Sequence, residues 1–188
     1  KPEILPGYYN PSFINTSVDL TKVAEGINSV GSANLCLYGP SGTGKSAYVH
    51  WLSKYLNLPL YVKKSSDLLS MYVGEMEHNV AQAFRTAEQD NAILLLDEVD
   101  SFLQDRRSAK QTWEITQVNE LLTQMECYSG IFIATTNLVN NLDQAALRRF
   151  DMKLMFDYLT TEQAWQLYIQ HSQSIGLEIP GAMQKRCI

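Results

Sequence analysis

Eight consecutive residues, Gly39-Pro40-Ser41-Gly42-Thr43-Gly44-Lys45-Ser46, constrain this chain more than any other feature. They follow an apolar run, Asn34 to Tyr38, and precede a helical run, Ala47 to Leu56. The glycines let the backbone turn so that successive N–H groups point inward, and the following helix adds the positive end of its dipole. Strand, glycine loop and helix in this order, with the spacing GxxxxGK[ST], form a cradle for phosphate. Pro40, Ser41 and Thr43 complete the loop, Lys45 reaches the terminal phosphates, and Ser46 offers a hydroxyl to Mg2+, a hard ion that favours oxygen ligands.

A loop of this kind needs a buried parallel strand in front of it, and the rest of the chain supplies the matching pattern. Short apolar runs recur at Asn34 to Tyr38, Leu60 to Val62, Ala92 to Leu96, Ile131 to Thr135 and Lys153 to Phe156. Between them lie helical periodicities. Met76, Val80, Ala83, Phe84 and Ala87 make one face of a helix over Glu75 to Glu88, and Ile115, Val118, Leu122 and Met125 do so over Thr112 to Glu126. Strands alternating with helices imply an α/β fold, a three-layer sandwich with a central parallel five-stranded sheet and helices on both faces. Residues 1–17, with Pro2, Pro6 and Pro11, read as an extended N-terminal arm, and 18–157 as the large subdomain. Thr160 and Gln163 form a capping-box pattern that opens a helix to about Ser174. We read residues 158–188 as the start of a truncated C-terminal helical lid, because one helix cannot bury a face alone. The chain opens at Lys1 with no initiator Met and no signal sequence, which predicts a piece of something longer.

The run Ile93-Leu94-Leu95-Leu96 ends in Asp97-Glu98, two carboxylates at the edge of the sheet where ligands of open α/β folds bind. Asp97 is placed to hold Mg2+ or its water, and Glu98 to orient or deprotonate an attacking water. Adjacent acids after a strand can also merely cap the next helix.

Taken together with Asp97-Glu98-Val99-Asp100, Ala134-Thr135-Thr136-Asn137 and the Leu142 to Asp151 segment, the glycine loop resembles the AAA branch of AAA+ ATPases over roughly residues 18–175. The resemblance implies a P-loop NTPase module that binds ATP and Mg2+, hydrolyses ATP to ADP and phosphate, and works as a homo-oligomer, usually a hexameric ring, that pulls on or remodels a protein substrate. It places Asn137 at the sensor 1 position, which helps to position the attacking water. It makes Arg148 and Arg149 arginine fingers that reach into a neighbouring subunit's site. The segment is shorter than in many relatives, so both stay candidates for the main finger. Tyr72 and Val73, in Met71-Tyr72-Val73-Gly74-Glu75, fall where the family carries its substrate-gripping pore loop, with a core-anchoring role for Tyr72 as the alternative. Gln104 to Lys110 could form a second, basic pore loop or a solvated charge run. The acidic-glycine signature near the adenine pocket is not evident in Asn10 to Asp19, and the sensor 2 position is not found, so the base-recognising residues are unassigned.

Composition narrows the partners. The chain has 15 Lys+Arg against 20 Asp+Glu, a net charge of −5, which argues against a dedicated nucleic-acid binder. No apolar run approaches the ~18 residues of a membrane span, and the expected location is cytoplasmic. Cys36, Cys127 and Cys187, like His50, His78 and His171, are scattered without metal-ligand spacing, so no metal beyond Mg2+ is expected. The leading expectation is an ATP-driven protein-remodelling motor. The alternatives are a DNA-associated AAA+ ATPase and a slow, nucleotide-gated assembly switch.

Overall fold

The computed structural model describes residues 9–68, 75–101, 112–138, 142–174 and 176. Its elements in chain order are β1 (Asn15–Thr16), α1 (Leu20–Val30), β2 (Ala33–Tyr38), α2 (Lys45–Leu56), β3 (Leu60–Lys64), α3 (Ser65–Leu68), α4 (Glu75–Gln89), β4 (Ile93–Asp97), α5 (Thr112–Cys127), β5 (Ile131–Thr136), α6 (Gln144–Arg149), β6 (Met152–Asp157) and α7 (Thr161–Ser174). Tyr72, Val73 and the Gln104 to Lys110 stretch lie outside the described residues.

The sheet runs β1-β6-β2-β5-β4-β3. All five expected strands are present and mutually parallel, in registers such as Cys36 opposite Ala134 and Leu95 opposite Ile133. A sixth, β1, adds two residues antiparallel to β6, pairing Asn15 with Asp157 and Thr16 with Phe156. It falls inside the expected arm and is too short and polar to read from sequence.

Alternate residues of the central strands serve two cores, as the two-residue period of a strand requires. Leu35, Leu37, Ile93, Leu95, Ile131 and Ile133 face α1 and α2, with Tyr48, Leu52 and Ile27 packed against them. Cys36, Leu94, Leu96, Phe132 and Ala134 face the opposite layer, where α4 and α5 contribute Val80, Phe84, Leu121 and Leu122. Cover on both sides explains why the central strands β2, β4 and β5 are buried along nearly their whole length, whereas β3 and β6 nearer the margins carry exposed residues.

Helix boundaries follow local chemistry. Asp19 caps α1 by accepting from the Thr21 and Lys22 N–H groups, and Gly31, at φ 82°, ends it in the left-handed region. Thr160 and Gln163 close their capping box reciprocally, at 3.0 and 3.2 Å.

Candidate active site

Parallel pairing carries the ends of β2, β5 and β4 to the same edge of the sheet. The glycine loop leaves β2 there, with the Gly39 N–H donating to the Thr136 carbonyl at 3.2 Å. Gly39 sits at φ 135°, and a Cβ on it would lie 1.8 Å from the Phe156 carbonyl oxygen on β6. Only glycine fits between the strands at that point. Gly39→Ala is expected to destabilise the fold by more than the ~1–3 kcal/mol of backbone strain alone, lowering the melting temperature by several degrees at ~2–4 °C per kcal/mol. Gly42 also has positive φ but open space around its Cα, so Gly42→Ala should melt closer to wild type. Equal melting of the two variants would count against the contact with β6.

α2 begins at Lys45 with Gly44 as its N-cap and no side-chain cap, which leaves its first N–H groups open toward the loop. Thr43 Oγ1 donates back to the Pro40 carbonyl at 2.8 Å and fixes the turn. The Lys45 ammonium donates to the Gly39 and Pro40 carbonyls at 2.7 and 2.8 Å and to Asn137 Oδ1 at 3.0 Å. Desolvation holds its pKa below that of an ordinary lysine, against the opposing pull of the Asp97 and Asp100 charges. A buried cation satisfied mainly by neutral oxygens is poised to exchange them for an anion.

Ser46 Oγ donates to Asp97 Oδ1 at 3.3 Å, so the hydroxyl and carboxylate converge as hard oxygen donors. This donor set fits Mg2+, which takes few protein oxygens and keeps its waters. Glu98 follows at φ 59°, a left-handed conformation that costs a non-glycine residue roughly 1–3 kcal/mol. Hydroxyls from the strands on either side hold that turn. Thr135 Oγ1 on β5 accepts the Glu98 N–H at 3.0 Å and donates to Asp97 Oδ1. Ser65, the first residue of α3 directly after β3, donates to the Asp97 carbonyl at 3.2 Å and to that of Glu98. Asp100 accepts from the Thr136 hydroxyl and from the Asn137 N–H at 3.3 Å, anchoring Asn137 at the end of β5. Sequence reasoning assigns no role to Thr135 or Ser65, since a threonine in a strand reads as an ordinary β former and a serine after one as a helix start.

The structure therefore gathers Lys45, Ser46, Asp97, Glu98 and Asn137 at one edge. It does not bring Arg148 or Arg149 there. They end α6 near the opposite edge, where the Asp151 N–H donates to the carbonyl of Asn34 at the start of β2. Six residues of β2 separate that edge from Gly39, roughly 20 Å at ~3.3 Å per residue. Arg149 is engaged at home, with Nε 2.7 Å and Nη2 2.6 Å from Glu126 Oε1 and Nη1 2.9 Å from the Ala145 carbonyl. Arg148 is exposed.

An α/β sheet in this order, with a glycine loop opening α2 and paired acids ending β4, defines a nucleotide-hydrolysing module of the P-loop class. Residues 35–158 match the ATPase family associated with various cellular activities (AAA), and the chain belongs to that family as an ATPase domain. Similar proteins include an uncharacterized AAA family ATPase, y4kL, of Sinorhizobium fredii, 36% identical over 122 residues that cover 63% of this chain and 37% of the relative. The ATP-dependent zinc metalloprotease FtsH of Lachnoclostridium phytofermentans is 29% identical over 173 residues, 84% of this chain and 30% of the relative. The peroxisomal ATPase PEX6 of Yarrowia lipolytica is 29% identical over 173 residues, 82% of this chain and 17% of the relative. The chain thus spans only 17 to 37% of the length of these three relatives. Among the described residues no helix is long and apolar enough to cross a membrane.

Proposed function

We propose that this chain is the motor module of a ring-forming, ATP-driven machine that remodels, unfolds or dismantles a protein substrate. The observation that carries the catalytic part is the convergence of Lys45, Ser46, Asp97, Glu98 and Asn137 at the ends of three adjacent parallel strands and the helix behind the loop. In this reading the N–H groups of residues 39–46 and the start of α2 bind the phosphates, and Lys45 moves from its carbonyl partners to the terminal phosphates. Ser46 and Asp97 would hold Mg2+, directly or through its water, and the ion would supply positive charge to offset that of the phosphates. Asn137 orients a water, whose oxygen forms the new bond to the γ-phosphorus as the bridging bond to ADP breaks, and exposed Glu98 takes the water's proton. The one-strand separation of Arg148 and Arg149 from their own loop suits a role at a neighbouring subunit's ATP. The relatives' names support a protein-directed task, and the net charge of −5 is a poor match to nucleic acid.

The test is steady-state ATP hydrolysis by the full-length protein with an unfolded protein, a folded protein or DNA added. Stimulation by the unfolded protein is expected. Stimulation by DNA alone would favour a DNA-associated ATPase, and slow turnover insensitive to all three would favour the assembly switch. Glu98→Gln is expected to keep ATP binding and lose hydrolysis by ~10²–10⁴-fold, since an amide cannot take the proton. Hydrolysis near the wild-type rate would remove Glu98 from the reaction.

A further inference from the structure

We infer that Thr135 is a positioning residue for hydrolysis, whose single hydroxyl locks the backbone of Glu98 and the carboxylate of Asp97 into one arrangement. The inference rests on the catalytic reading above and adds to it a residue that acts through Glu98 and Asp97. Thr135 is 1% exposed, on β5, and its side chain meets the turn that ends β4.

A threonine hydroxyl has one proton to give and lone pairs to receive with, so its polarity is fixed by its partners. Here the Glu98 N–H is 3.0 Å from Thr135 Oγ1, which leaves the hydroxyl proton for Asp97 Oδ1. Ser46 donates to the same carboxylate oxygen. The result is a directed chain from the Glu98 amide through Thr135 to Asp97, joined there by Ser46. Two consequences follow for the site. Glu98 is held at φ 59°, and because that angle sets the direction of its Cα–Cβ bond, it aims the carboxylate. Asp97 Oδ1 takes the Thr135 proton, while Ser46 Oγ lies 3.3 and 3.5 Å from Oδ1 and Oδ2, so it is Thr135 that fixes the rotation of the carboxylate facing Ser46. Ser65 grips only the carbonyls of the same turn and touches neither carboxylate in this way, so the side-chain coupling belongs to Thr135.

Thr135→Val keeps the shape and β-branching of the side chain while deleting the hydroxyl. Thr135→Ser keeps the hydroxyl while deleting a buried methyl. The two variants separate positioning from packing, because a structural role ranks them by stability and a positioning role ranks them by hydroxyl. In the full-length protein, Thr135→Val is expected to lower kcat by ~10–100-fold, the usual effect of losing an orienting partner, with the ATP KM changed by no more than a few-fold. Binding of ATP without Mg2+ should match wild type, whereas the tightening produced by added Mg2+ should shrink. Thr135→Ser should restore kcat to within a few-fold of wild type even if it melts lower than the valine variant.

Glu98→Gln is measured alongside. If Glu98→Gln is inactive while Thr135→Val hydrolyses ATP at the wild-type rate with a wild-type Mg2+ dependence, the positioning role is wrong and the catalytic reading stands. If Glu98→Gln is itself active, the catalytic reading falls and the role of Thr135 falls with it. Loss of activity in both threonine variants in proportion to their melting temperatures would likewise overturn the inference in favour of packing.

Discussion

Lys45→Ala is expected to abolish measurable ATP binding while leaving the protein folded. Lys45 is 8% exposed, and among the described residues its ammonium donates to two loop carbonyls and the Asn137 amide oxygen. Among the described residues no carboxylate hydrogen-bonds it, so its partners are neutral oxygens that a phosphate can replace. Hydrogen bonds to charged groups contribute ~1.5–3 kcal/mol each, so losing two to the terminal phosphates implies at least a 100-fold drop in affinity at ~1.4 kcal/mol per decade. The fold should tolerate the change because the loop keeps its own brace, the Thr43 hydroxyl on the Pro40 carbonyl, and because α2 keeps its backbone bond from Tyr48 to Gly44. A nucleotide titration beside a melting curve makes the check. Unchanged affinity in a folded variant would remove the loop from the nucleotide site, and a collapsed melt would show that Lys45 is structural.

The second large effect concerns the arginines. Arg148→Ala is expected to leave ATP binding intact and to slow hydrolysis by ~10³–10⁵-fold, because an arginine acting on the transferring phosphoryl group is worth that much. Arg149→Ala should behave differently. Its guanidinium is committed to Glu126 and the Ala145 carbonyl, and a partly exposed ion pair of this kind contributes ~0–1 kcal/mol to stability. If Arg148 acts on a neighbour, Arg148→Ala and Glu98→Gln fail for complementary reasons. Mixing them in the full-length protein should partly restore hydrolysis, since an interface with intact Glu98 on one side and intact Arg148 on the other can then form. Rings confirmed as mixed that stay as inactive as the separate variants would rule out action in trans. A severe catalytic loss in Arg149→Ala with Arg148→Ala near wild type would exchange the two assignments.

Different parts of the fold were legible in the sequence to different depths. The central strands β2, β4 and β5 were readable because burial on both faces leaves a continuous apolar run, β3 and β6 because a short apolar run survives in each, and the capping box because it needs only two residues three apart. The glycine loop needs only local order. α1 is signalled as well, by Leu20, Val23, Ala24 and Ile27 sharing a face between the Asp19 cap and Gly31, although it is not among the helical periodicities named above. β1 was not legible in principle. Two polar residues become a strand only because β6 arrives beside them from more than a hundred positions away. The same holds for the site. Lys45, Asp97 and Asn137 stand at the ends of predictable elements, whereas Thr135 gains its meaning only once β4 and β5 lie in register. Arg148 and Arg149 are the same residue type side by side, and it is the fold that distinguishes them, by bringing Glu126 and the Ala145 carbonyl to Arg149 and leaving Arg148 exposed.

The two-residue strand also bears on how the protein can be handled. Starting the chain at Val18, where periodic structure begins, would strip Asn15 and Thr16 from the outer edge of β6. It would also remove Tyr9 and Ile14, which pack beside Trp51 and over Gly44. The bared backbone groups of Phe156 and Asp157 would extend an edge already carrying exposed Met152 and Met155, the kind of surface to which another unfolded chain adds itself as a further strand. A shortened protein is thus better begun ahead of Tyr9, where a small segment shields the sheet from precipitation.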